Sequence, residues 1–162
     1  MAEVTAPKRQ KGLLLSLLAI PIAAVAWALL WQAGFIASIV AFGLAYGVVW
    51  LYSYGSRNMP TRREAVPLLT IILVGIVVCF LAGMSMDAWS AYKSADIAGE
   101  GDFFSADFWN FFMNNLGSAD LWSAYTTDIL VSLAFAGLGS FGIIRSLFAP
   151  QKIAEKPSAP KA

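Results

Sequence analysis

Four stretches of this chain are long and apolar, and nothing else in the sequence restricts its fold as much. They run over residues 13–31 (LLLSLLAIPIAAVAWALLW), 35–54, 66–86 and 129–148, with Arg145 the one charge among them. At 1.5 Å rise per residue each makes a helix roughly 30 Å long, the thickness of a bilayer's hydrocarbon core. In lipid a lone segment must pair its backbone N–H and C=O groups internally, and a helix does so. Composition agrees, with 59% hydrophobic and 13% charged residues, where a soluble domain has about 45–50% and about 25%. The expected fold is an all-α membrane protein, four transmembrane helices in an antiparallel bundle.

The rest of the chain divides around these spans. Residues 1–11 and the tail 149–162, rich in Pro, Ala and Lys, are expected to be disordered. Lys8, Arg9 and Lys11, the apolar run and Ala24-Val25-Ala26 resemble a secretory signal with its cleavage site. The run continues to Trp31 and turns directly into another span, so a retained helix is the reading adopted. Only Gln32, Ala33 and Gly34 separate the first two spans, which predicts a tight helical hairpin. Before the third span, Thr61-Arg62-Arg63-Glu64 has the spacing of a capping box. Pro21 and Pro67 are expected to bend the helices that carry them.

Charge placement sets the expected orientation. With four spans, Lys8, Arg9, Lys11, Arg57, Arg62, Arg63, Arg145, Lys152, Lys156 and Lys161 fall on one side, and Lys93 alone falls on the other. Basic residues concentrate in cytoplasmic loops. Both termini are therefore expected in the cytoplasm, with the acidic segment 87–128 outside. Arg57, Arg62 and Arg63 form a small patch able to touch anionic lipid, at about 1 kcal/mol per basic residue near the surface.

Within the outer segment the tetrapeptide WSAY occurs twice, at Trp89–Tyr92 and at Trp122–Tyr125. Each copy lies near the outer end of a span, where Trp and Tyr place an apolar body inward and a polar edge toward water. With Trp109 these residues read as an aromatic belt. A sharper alternative pairs Asp87 with Asp128 across the helix ends as a metal-binding site for a cation. Between the copies, residues 102–117 (DFFSADFWNFFMNNLG) form an expected short amphipathic helix, capped by Asp102 or Ser105 and ended by Gly117. Asp107, Asn110 and Asn114 make one polar stripe on it, and Phe104, Phe108, Phe111, Phe112 and Leu116 cover much of the rest. Such a helix should lie partly sunk in the interface or under a protein lid, or serve as a docking surface for another membrane protein.

Small residues recur every four positions inside the spans: Gly43 and Gly47; Ala37, Ala41 and Ala45; Gly75, Cys79 and Gly83; Ser132, Ala136 and Ser140. Rows of this kind let helix backbones approach closely, within the bundle or between copies of the chain. Histidine is absent and Cys79 is the single cysteine. An intrachain disulfide, a Cys/His zinc site and a Ser-His or Cys-His nucleophile pair are thereby excluded. No charge falls at the midplane of a span, which argues against an ion-coupled carrier. Phosphate-binding glycine loops and nucleic-acid signatures are lacking, and no cofactor is expected.

The hairpin leading into GFIASIV, the Asp87-x-Trp89-x-x-Tyr92 end of the third span and the Tyr125-x-x-Asp128-Ile129-Leu130 opening of the fourth resemble an uncharacterised family of small four-span integral membrane proteins of Gram-positive bacteria. That resemblance, over residues 13–148, implies topology and a bacterial cytoplasmic membrane, and carries no catalytic residue. The expected role is non-enzymatic: an accessory or interaction subunit, partnered by the bilayer and by another membrane protein or a second copy. A small channel or transporter component is the alternative.

Overall fold

The computed structural model of the chain describes residues 6–33, 39–94 and 102–148. Among these residues the only regular structure is helical: α1 (Ala6–Leu17), α2 (Ala19–Gln32), α3 (Ile39–Ser56), α4 (Arg62–Ser94), α5 (Ala106–Leu116), α6 (Ala119–Gly139) and α7 (Phe141–Phe148). Four helices are long and apolar enough to cross a membrane: Lys8–Gln32 (α1 with α2), α3, α4 and α6.

Where the helices break, the cause is local. α1 stops at Leu17, four residues before Pro21, whose ring excludes the carbonyl at that position from an α-helical bond. Leu18 N–H instead bonds Leu15 O at 3.1 Å, a tighter 3₁₀-type turn. Pro67 leaves the carbonyl of Arg63 without its partner, and Arg9 Nη2 donates to that oxygen at 3.3 Å. α4 therefore continues unbroken through its proline. Its start is the expected Thr61–Glu64 box: Glu64 Oε2 accepts from Thr61 N–H at 2.9 Å and also from the Thr61 hydroxyl. Between α6 and α7, the Ser140 N–H and hydroxyl both bond Ala136 O, at 2.9 and 2.7 Å. A hydroxyl competing for the backbone acceptor, next to Gly137 and Gly139, ends the helix there.

Several expectations shift in extent. Helix begins at Ala6, so residues 6–11 are ordered as helix rather than disordered; positions 1–5 and the tail 149–162 lie outside the described residues, as does Gly34 of the hairpin. α4 carries helix through Ser94, eight residues beyond the apolar run, and α6 begins ten residues before residue 129. At 1.5 Å per residue, α4 is about 50 Å long and reaches well past a hydrocarbon core.

The core lies where α2, α3 and α4 meet, with Trp27, Val48, Tyr52, Leu68 and Cys79 fully enclosed. Glycines set its closeness. A Cβ on Gly75 would stand 2.7 Å from Leu44, one on Gly55 would stand 2.9 Å from Gly12 Cα, and one on Gly139 would stand 2.6 Å from Phe42 O. Among the small-residue rows, Ala41 and Ala45 are buried, as are Gly75, Cys79, Gly83, Ser132, Ala136 and Ser140. Gly43 faces outward with open space around it, and Gly47 touches only Ala19, at 3.9 Å from an added Cβ. Ala37 lies outside the described residues.

Candidate functional site

Chemistry-bearing side chains gather at two ends of the bundle. At one, the Trp31 indole on α2 donates to Asp87 Oδ2 on α4 at 2.9 Å, and the Tyr125 hydroxyl on α6 donates to the same oxygen at 2.7 Å. The rings of Trp31 and Tyr125 lie 5.7 Å apart. One carboxylate thereby ties three helices. Hydrogen bonds to a charged acceptor are worth about 1.5–3 kcal/mol each before solvent screening. Gly83, one turn before Asp87, makes the approach possible: an added Cβ would stand 3.1 Å from both Trp27 Nε1 and the Trp31 ring.

Above this latch the overhanging turns of α4 carry the first WSAY copy, and α5 folds onto it. Ser105 caps α5, its hydroxyl accepting from Phe108 N–H at 3.3 Å, while Asp102 Oδ1 accepts from Phe104 N–H at 2.9 Å in the turn before it. The apolar side of α5 fixes its docking. Phe108 packs on Trp89 (5.2 Å) and Tyr92 (5.8 Å), and Phe111 on Tyr92 (5.3 Å), while within α5 Trp109 packs on Phe112 (5.5 Å). Each such pair contributes about 0.5–1.5 kcal/mol beyond area burial. Asp107, Asn110 and Asn114 are exposed, as the polar stripe requires, but so are Phe104 and Met113, at 83% and 60%. Lys93 Nζ stands 5.2 Å from the Trp89 ring centre.

The two WSAY copies thus do different work. Trp89 stacks on Tyr92, which is only 3% exposed and sits inside the cluster rather than at a wet edge. Trp122 instead donates its indole N–H to Leu116 O at 2.8 Å, capping the end of α5, and Tyr125 holds Asp87. Asp128 lies exposed one turn past Tyr125. Any cation at Asp87 would compete with two donors already on its oxygen. Among the described residues no three His, Cys, Asp or Glu groups converge.

Sequence reasoning missed Trp31, which reads there only as the end of an apolar run. The signal was present: Trp31, Asp87 and Tyr125 all mark the same end of their spans. Trp27 Nε1 and Ser132 Oγ are buried within the bundle without hydrogen-bond partners, and nothing in the spacing of apolar residues distinguishes them.

At the opposite end Arg9 Nε lies 3.6 Å from Glu64 Oε1. Glu64 is 3% exposed, and Arg9 and Thr61 are the partners that its buried carboxylate finds. Comparison of the chain with protein-family models, with curated proteins and with solved structures finds no match.

Proposed function

We propose that this chain is a multi-pass protein of a bacterial cytoplasmic membrane and acts as a non-enzymatic accessory or interaction subunit. The spans alternate in direction. In support, Gly12 near the start of the first abuts Tyr52 near the end of α3, whereas Ala19 abuts Gly47. Basic residues cluster at the Arg9–Glu64 end, which is the cytoplasmic one under the positive-inside rule. α5 and the overhanging ends of α4 and α6 then form an outer cap at the interface.

The observation that carries the reading is the construction of that cap. Asp87, Trp31 and Tyr125 fix the ends of three helices, and the aromatic cluster fixes α5 upon them. The result is a firm platform that presents Phe104 and Met113 outward, and large apolar and Met side chains are favoured at protein interfaces. A photo-crosslinking amino acid at Met113, in native membranes, tests it. A discrete crosslinked protein, lost when Phe104 is changed to Asp, is the expected result; only lipid adducts would refute docking through the cap.

A second reading, a small channel or transporter component, draws on the unpartnered Trp27 indole and Ser132 hydroxyl inside the bundle. Solute flux into liposomes holding the purified chain, sensitive to Ser132→Ala, would favour it over the first.

A further inference from the structure

A cleft of about 660 Å³ opens at the basic end, between α1 and the end of α3. Its lining divides by chemistry. Lys11, Arg57 and Asn58 supply polar groups, Leu15, Tyr54 and Met59 supply apolar walls, and no carboxylate lines it. Neither Lys11 nor Arg57 has a carboxylate partner among the described residues, whereas the nearby Arg9 is taken by Glu64.

Arg57 is held in place at a cost. Its φ of 57° is left-handed, a conformation side chains other than glycine, Asn and Asp seldom adopt. The flanking residues impose it: Ser56 Oγ donates to Asn58 O at 2.9 Å, Asn58 N–H donates back to Ser56 Oγ at 3.3 Å, and Asn58 Nδ2 donates to Ser56 O at 3.0 Å. Ser56 is itself fully buried. A glycine would satisfy the turn without strain; the turn carries an arginine at the cleft instead. Backbone strain that surrounding bonds over-determine is typical of ligand clamps.

The geometry points to a binding site for the phosphate headgroup of an anionic phospholipid, clasped by Lys11 and Arg57, with its glycerol and proximal acyl carbons against Leu15, Tyr54 and Met59. Two cations match one phosphodiester plus the field of an anionic leaflet. The apolar walls and the volume, much larger than a bare phosphate fills, select an amphiphile over a free anion. Placement at the basic end of the spans puts the cleft at headgroup depth. The inference rests on the membrane reading above.

The full chain in neutral detergent, titrated with dioctanoyl phosphatidylglycerol and followed by thermal unfolding, provides the test. A saturable rise in melting temperature is expected, with none from dioctanoyl phosphatidylcholine or inorganic phosphate at equal concentration. The Lys11→Gln/Arg57→Gly variant should weaken the titration midpoint about thirty-fold, a factor of about five for each cation. Glycine suits the backbone at position 57, so this variant folds. Lys93→Gln/Arg145→Gln, neither of which lines the cleft, should leave the midpoint unchanged. An equal rise with phosphatidylcholine or phosphate, no rise at all, or equal weakening in both double variants overturns the site. Resistance of the native protein to alkaline extraction from membranes checks the membrane reading separately: extraction sinks that reading, whereas retained protein with no phosphatidylglycerol response sinks the lipid site alone.

Discussion

Replacing Asp87 with Asn keeps the shape of the latch and one acceptor oxygen but removes the charge. Trp31 and Tyr125 donate to the same atom, at 2.9 and 2.7 Å. A hydrogen bond to a charged acceptor contributes about 1.5–3 kcal/mol and a neutral one about 0.5–1.5. Loss of charge therefore costs about 1 kcal/mol per bond and about 2 kcal/mol for the pair. Asp87 is exposed, and water takes back part of that, which leaves about 1–2 kcal/mol. Asp128→Asn should change stability by less than about 0.5 kcal/mol, the usual range for a surface substitution. Reversible unfolding in bicelles, followed by tryptophan fluorescence, measures both. A double-mutant cycle of Asp87→Asn with Tyr125→Phe should give a coupling of about 0.5–1 kcal/mol, since the first change weakens the bond that the second removes. Added calcium should leave the melting temperature of the native protein unmoved. If Asp87→Asn and Asp128→Asn are equally harmless, or the cycle shows no coupling, the latch does not hold the helices. A calcium-dependent shift lost in both Asn variants would restore the cation reading of these two residues.

Three further expectations are independent of that one. Gly139→Ala should destabilise the bundle by about 1–3 kcal/mol, because the new Cβ meets Phe42 O and Ala45, while Gly43→Ala, with open space around it, should be neutral or stabilising; the same unfolding assay ranks them, and the reverse order would refute the packing of α6 on α3. Single cysteines at Lys8 and Ser94, in a Cys79→Ser background, should give labelling of intact cells by an impermeant maleimide at position 94 only; labelling at position 8 instead would reverse the orientation. Hydrogen–deuterium exchange in nanodiscs should show slow amides through the second half of α5, where Phe111 and Phe112 pack; rapid exchange throughout would mean that α5 does not rest on the cluster.

The helices were readable because their causes are local. Uncharged length marks the spans, Thr61 and Glu64 mark a start, and Ser105 marks a cap three residues before the amide it serves. The row Ser132, Ala136, Ser140 buries as its spacing requires. What spacing cannot convey is which face of a helix meets which neighbour. Gly43 and Gly47 have the familiar pattern, yet the close approaches fall at Gly75, Gly83 and Gly139, because the buried side of α3 is fixed by Ala41, Ala45, Val48 and Tyr52. The overhang of α4 escaped for another reason. Residues 87–94 mix Asp, Ser and Lys with aromatics, so no apolar run announces them, and only the packing of α5 reveals their buried side. The WSAY echo misled in the same way: identical tetrapeptides acquire different partners once Trp89 lies under α5 and Trp122 at its end.

The first span is fastened to α4 at both extremities, by Arg9 on Glu64 and by Trp31 on Asp87. Along the first span the two fastenings are twenty-two residues apart (9 to 31); along α4 they are twenty-three apart (64 to 87). Nearly equal spacing means the pair is gauged like the two rails of a ladder with its end rungs in place. A single residue inserted between the fastenings on one helix would turn everything beyond it by about 100° and carry one fastening out of reach. Lengthening both helices by a full turn would leave both intact. Homologous chains that differ in membrane thickness should therefore gain or lose residues in these two helices together, in steps of three or four, and never in one alone.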